Sequence, residues 1–198
     1  MQKQLLPSFD KIADYCFRLF QAKNADYGPT WLLYRERSLN DELWRKAKRI
    51  RTLEEHHDNA RIPEGRDVEY VAIINYCIMF LIKLQSPPGI PAAEDLTENL
   101  AVLDGVEESA LYDAYRQQLA VVRDLLVRKN TDYGDAWRSM SLEAMTDQVV
   151  VRVYRIRKIL ENRGRTSVSE GIASQLHDII NYCVFALIKM DSGLIELV

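Results

Sequence analysis

The chain spells nearly the same nine residues twice. KNADYGPTW runs from Lys23 to Trp31 and KNTDYGDAW from Lys129 to Trp137, 106 positions apart. At that offset positions 23–86 lie on 129–192 without a gap, and 22 of 64 pairs are identical; unrelated residues would agree at roughly one position in sixteen. The identities fall in blocks: Lys23, Asn24, Asp26, Tyr27, Gly28 and Trp31 with their counterparts, Asp41 with Asp147, RIR at 49–51 and 155–157, Glu55 with Glu161, EG at 64–65 and 170–171, IINYC at 73–77 and 179–183, and LIK at 81–83 and 187–189. Whatever fold accepts one copy must accept the other. The chain therefore divides into a first helical repeat (1–86), a link (87–106) and a second repeat (107–198).

Each copy reads as helices. Ser8 is placed to cap a helix over about 9–26, with Gly28 ending it in the left-handed conformation. A second helix is expected from about Asn40 to His57, since Asn40 and its counterpart Thr146 are both good N-cap types. A third runs from about Glu64 to Leu84, and its latter half is apolar on nearly every face, which predicts the centre of a bundle. The prolines of SPPGIPAAEDLTENLAVLDG make the start of the link extended, and AAEDLTENLAVL reads as a short helix. No stretch sustains period-two alternation. The expectation is an all-α protein, a tandem duplication of a three- to four-helix unit packed about a pseudo-twofold axis.

Composition narrows the partners. A chain that is 47% hydrophobic and 28% charged, with few Gly and Pro, is globular. Its net charge of −3 argues against a broad nucleic-acid surface and leaves room for local clusters that take small phosphates. Cys16, Cys77 and Cys183 are odd in number and form no CxxC, as expected of buried, reduced thiols in a cytoplasmic protein. The N-terminus lacks the apolar core of a signal peptide. The longest apolar run, VAIINYCIMFLI, is too short to span a bilayer.

Several polar residues need partners. Asn75 and Asn181 sit inside IINYC, where a buried amide must be hydrogen-bonded, either to another helix or to a ligand. Glu170, Asp178 and Asn181 fall on one helical stripe, and Glu64 lies about three turns before Asn75. Glu64 and Asp67, one turn apart, can hold Mg²⁺ through oxygen ligands or simply favour a helix N-terminus. Arg49 and Arg51, like Arg155 and Arg157, point opposite ways from their helix. An inward Arg needs a carboxylate, such as Glu64 or Asp26 and their equivalents, or a bound phosphate. Lys23 and Lys129 suit the negative end of a helix, whereas Asp26 and Asp132 oppose it and require a nearby cation, for which the RIR arginines are candidates. Tyr27 with Trp31, and Tyr133 with Trp137, set ring faces beside Asn24 and Asn130: a seat for a base or sugar, or a hydrophobic plug. His56, His57 and His177 lack metal-ligand spacing, and there is no phosphate loop, GxSxG or HExxH.

Together, KNADYGPTW, LNDELWRKAKRIRTLEE and EGRDVEYVAIINYCIMFLIKL, with KNTDYGDAW, MTDQVVVRVYRIRKILEN and SEGIASQLHDIINYCVFALIKM, resemble the nucleotide modification associated domain 1 family in its two-copy bacterial form. The likeness covers nearly the whole chain apart from the link. That family is grouped with the MazG-like all-α nucleoside triphosphate pyrophosphohydrolases. The resemblance implies a helical bundle, usually dimeric, that binds nucleotides with Mg²⁺. On this chain it implies phosphates on Lys23, Arg49, Arg51, Lys129, Arg155 and Arg157, the base against Tyr27, Trp31, Tyr133 and Trp137, and Mg²⁺ on Glu64, Asp67, Glu170 and Asp178. Hydrolysis would then be attack of water on a metal-polarised α-phosphate, releasing pyrophosphate. Hydrolytic members carry ExxE on one helix and ExxD on the next. Here the second helix is basic (RKAKRIR, RVYRIRK) and only Glu64–Asp67 stands in register, opposite Glu170–Ala173. The acidic cage is incomplete, which leaves binding better supported than hydrolysis. The alternatives are a non-enzymatic helical scaffold whose arginines are neutralised internally, one degenerate copy, or a composite site across the axis.

Overall fold

The computed structural model describes residues 2–56, 65–91, 100–167 and 171–190. Among them are six α-helices and no strand: α1 (Gln2–Tyr27), α2 (Glu36–Glu55), α3 (Arg66–Gln85), α4 (Glu108–Tyr133), α5 (Leu142–Glu161) and α6 (Ile172–Met190). Every helix start of the first half recurs 106 residues later, as do the 3₁₀ turns Thr30–Leu33 and Ala136–Ser139. The correspondence reaches back through α1 and α4, where before Lys23 the sequences share only Leu5/Leu111 and Leu19/Leu125. The protein is a tandem duplication in structure as well as in sequence.

The helices α2, α3, α5 and α6 form a four-helix core in which α2 packs on α3, α5 on α6, α2 on α5 and α3 on α6. Helices α1 and α4 touch each other and lie across α3 and α6. The central pair is α3 and α6, as their all-round apolarity predicts. Ile73, Ile74, Cys77, Ile78, Phe80, Leu81 and Ile82 are essentially sealed from solvent, as are Ile179, Ile180, Cys183, Ala186 and Leu187. Each such aliphatic side chain contributes about 1.5–3 kcal/mol.

Reciprocal contacts reveal the pseudo-twofold packing. Arg51 pairs with Asp147, and the mirror pair Arg157–Asp41 closes at 3.0 Å. Asp10 holds Arg123 at 2.7 Å; at the equivalent contact the Arg116 guanidinium lies 4.7 Å over the Phe17 ring. One junction is polar on one side only. The Tyr70 hydroxyl meets Thr146 Oγ1 at 2.7 Å, and Thr146 donates to Glu54 at 2.7 Å. Leu176 and Leu160 replace Tyr70 and Glu54 on the other side, so Asn40, at the place of Thr146, has a buried Oδ1 without a hydrogen bond.

Local expectations needed correction at three places. Helix α1 starts at Gln2, with Pro7 and Ser8 inside it; burial of Leu5 and Phe9 (2% exposed each) outweighs the main-chain bond that Pro7 forfeits. Helix α2 starts at Glu36, so Asn40 and Thr146 are buried helical residues and not caps. In the second copy Ser141 is the cap, accepting from the Ala144 amide at 3.1 Å. The link does not begin extended: Ile90 N–H bonds the Pro87 carbonyl at 3.1 Å, and this turn buries Ile90. Of the helix expected over 92–103, residues 92–99 lie outside the described residues, and Leu100–Gly105 is a 3₁₀ turn. No helix among the described residues is long and apolar enough to cross a membrane.

Candidate functional site

The C-terminal end of α1, the Thr30–Leu33 turn and one face of α3 enclose a cleft of about 340 Å³. The end of α4, the Ala136–Ser139 turn and one face of α6 enclose another of about 300 Å³. Both volumes sit at the small end of ligand pockets. Their linings correspond at the 106-residue shift: Phe20/Leu126, Lys23/Lys129, Asn24/Asn130, Tyr27/Tyr133, Thr30/Ala136, Trp31/Trp137, Tyr34/Met140, Ala72/Asp178, Asn75/Asn181, Tyr76/Tyr182 and Met79/Phe185. The repeated nine-residue stretch thus forms one wall of a cleft present twice.

Half of that stretch is architecture. Gly28 and Gly134 take left-handed φ of 63° and 56°, and their amides close on the Asn24 and Asn130 carbonyls at 2.8 and 3.0 Å. The Trp31 and Trp137 indoles donate to Asn24 Oδ1 at 3.2 Å and Asn130 Oδ1 at 3.1 Å. The repeated lysine of LIK secures the same turn: Lys83 donates to the Leu32 carbonyl, and Lys189 to the carbonyls of Arg138 and Met140 at 2.8 and 2.7 Å. These bonds explain why the Asn, the Gly, the Trp and the distant Lys recur together. They do not explain Lys23, Lys129, Tyr27 and Tyr133, which line the clefts. The two phenol rings are 68% and 73% exposed.

The chemistry of the two clefts differs. In the first half Glu69 is wholly buried, bound by Lys46 at 3.0 Å and by Arg49. Asn75 is satisfied: it donates to the Val71 carbonyl at 3.3 Å and accepts from the Tyr115 hydroxyl of α4 at 2.6 Å. Burial pushes the neighbouring Tyr76 phenol up to about 12, so it stays protonated. In the second half Gln175 replaces Glu69 and Asp178 replaces Ala72. The carboxylate has moved three residues along the helix, onto the cleft wall. There it binds Lys129 and, at 3.1 Å, Arg152, the counterpart of Lys46. Arg152 also lies 4.7 Å over the Tyr182 ring, while Trp137 and Phe185 stack at 4.6 Å and 6°. Asn181 is only 4% exposed, and its Oδ1 has no hydrogen bond. Phe9 stands where Tyr115 would be and has no hydroxyl to give. Nearby, burial pulls the His177 imidazole below its ordinary range.

Other expected site residues lie elsewhere. Asp26 and Asp132 are exposed and do not line the clefts, and the RIR arginines do not reach them. Arg49 turns to Glu69, Arg51 and Arg157 bridge the copies, and Arg155 is exposed; none of the four lines a cleft. The helix directs 49 toward α3 and 51 toward α5, so neither faces the α1 end. Glu64 and Glu170 lie outside the described residues. Asp67 opens α3 away from the cleft lining, and Asp178 is already neutralised by two cations. No group of three or more His, Cys, Asp or Glu among the described residues is placed to hold a metal. The three cysteines are buried; burial alone pushes the Cys16 thiol up to about 12, which leaves it unreactive.

Sequence reasoning passed over Arg152, Tyr182, Phe185 and Glu69. Two signals were available. Tyr76/Tyr182 lies inside the repeated IINYC, and positions 46 and 152 are both basic although not identical.

The family model of nucleotide modification associated domain 1 matches residues 23–84 and 129–190. The chain belongs to that family and carries its domain twice. The matched segments contain every cleft-lining residue except Leu19, Phe20 and Leu126. No curated protein and no solved structure matches the chain.

Proposed function

We propose that the protein binds nucleotides in the clefts walled by the repeated Lys-Asn-x-Asp-Tyr-Gly stretch. The observation that carries this reading is the pairing, on one small concave surface, of a lysine with exposed and stacked aromatic rings. A phosphate suits the cation, and a base suits the ring faces. Family membership supports the same class of ligand. Hydrolysis is not part of the reading, because Asp178, the only carboxylate lining either cleft among the described residues, is held by Lys129 and Arg152. Mg²⁺ would enter as a companion of the phosphates.

The test is thermal unfolding against nucleoside mono-, di- and triphosphates, each with and without Mg²⁺. A ligand at about 100 times its dissociation constant adds about 2.7 kcal/mol and raises the melting temperature visibly. Absence of any shift across the panel would sink the reading. It would favour a scaffold, for which the specific support is the reciprocal pairing of Arg51–Asp147 and Arg157–Asp41 between copies.

A further inference from the structure

The two clefts share a frame but do not present the same opportunities to a ligand. Asn75 has both its needs met, and the Tyr115 hydroxyl closes its acceptor from behind. Asn181 is equally buried and lines its cleft, with its Oδ1 sealed from solvent and without a hydrogen bond. An orphaned buried amide oxygen forfeits the hydrogen bond it makes with water in the unfolded chain, a cost that a ligand donor can relieve. Around it the second cleft gathers Lys129 and Arg152, whereas in the first Lys46 is drawn away to Glu69.

Resting on the nucleotide-binding reading, we infer that only the second cleft is loaded, and that its occupant is a nucleoside monophosphate. Charge and size select this class. Lys129 and Arg152 against Asp178 leave one net positive charge, which a single phosphate monoester of about −1.5 to −2 exceeds by less than a di- or triphosphate does. A triphosphate brings more negative charge than the lining cations can balance. A cavity of about 300 Å³ is also small for a longer phosphate chain. The phosphate takes Lys129 and Arg152 in competition with Asp178, the base lies against the Trp137–Phe185 and Tyr133 rings, and the Asn181 amide, held by no bond at Oδ1, turns so that a ligand N–H or O–H answers it.

Titration calorimetry with AMP, CMP, GMP, UMP and dTMP, and with the matching triphosphates, tests this on the full chain. The expected result is one molecule of at least one monophosphate per chain, bound more tightly than its triphosphate. Lys129→Ala should lose at least about tenfold more affinity than Lys23→Ala, the scale of one charge-assisted hydrogen bond. Asn181→Leu should weaken binding while holding or raising the melting temperature, a combination that a purely structural amide does not give. Two molecules per chain, equal losses from the two lysine variants, or a preference for triphosphates would overturn the inference and leave nucleotide binding standing. No binding by any of the ten compounds would remove both.

Discussion

The halves of the molecule differ in where one carboxylate stands. On α3 it is Glu69, sealed beneath the surface with Lys46 and Arg49. On α6 it is Asp178, three residues further along and on the cleft wall, with Lys129 and Arg152. The main-chain frame is untouched by the move, because the residues that hold it answer to backbone and indole groups and not to the site: the Asn–Trp bond, the left-handed Gly, and the Lys that caps the turn. A duplicated fold can thus keep its shape through a few obligatory hydrogen bonds while two substitutions on one helix face redraw the charge of a cleft. A third difference, Phe9 against Tyr115, decides which buried amide is left open.

The comparison can be broken first at the frame. Trp31→Ala and Trp137→Ala should each cost about 3–5 kcal/mol in denaturant unfolding, and by similar amounts. A loss confined to one half would mean that the halves are not held alike. Next, Glu69→Gln, which installs the residue type of position 175, leaves Lys46 and Arg49 without their wholly buried carboxylate and should cost about 3 kcal/mol. Asp178→Asn should cost less, since that carboxylate is 15% exposed, and should raise affinity for inorganic phosphate by freeing Lys129 and Arg152. Equal stability costs would contradict the difference in burial. Third, Tyr115→Phe orphans Asn75 Oδ1 and should cost about 1–3 kcal/mol.

The smallest effect is a pH slope at the one-sided polar junction. Burial raises the Glu54 carboxyl above its ordinary value, partly countered by Thr146. A raised folded value means that its contribution is fully present below the unfolded value and is lost as pH rises through the folded one. Glu54→Gln should flatten stability against pH in that acid window. An unchanged slope would show that Glu54 is not its source.

Much of this was legible in the chain. The 106-residue offset gave the duplication, and all-round apolarity put α3 and α6 at the centre. The Lys, Tyr and Asn positions of both clefts came from the repeat itself. The start of α1 did not, because Pro7 and Ser8 signal a boundary locally while the burial of Leu5 and Phe9 overrides it from across the core. The arginines misled for a related reason. RIR is repeated because Arg51 and Arg157 answer Asp147 and Asp41 of the opposite copy, a relation visible only once the helices are packed. Arg152 escaped notice because its partner Asp178 has no acidic counterpart at Ala72. Comparing the copies for identity hides the positions at which they have diverged, and at these clefts those positions carry the difference.

Phe9→Tyr is the sharpest probe of the difference between the clefts, because it gives the second half the hydroxyl that the first half has. Thermal unfolding of the wild type and of this variant would be compared, each alone and with the same nucleoside monophosphates. The expected variant melts higher on its own, by the worth of one buried hydrogen bond of about 1 kcal/mol, and shifts less with every monophosphate that stabilises the wild type. A variant that shifts as the wild type does, or that melts lower without ligand, would contradict that difference between the clefts.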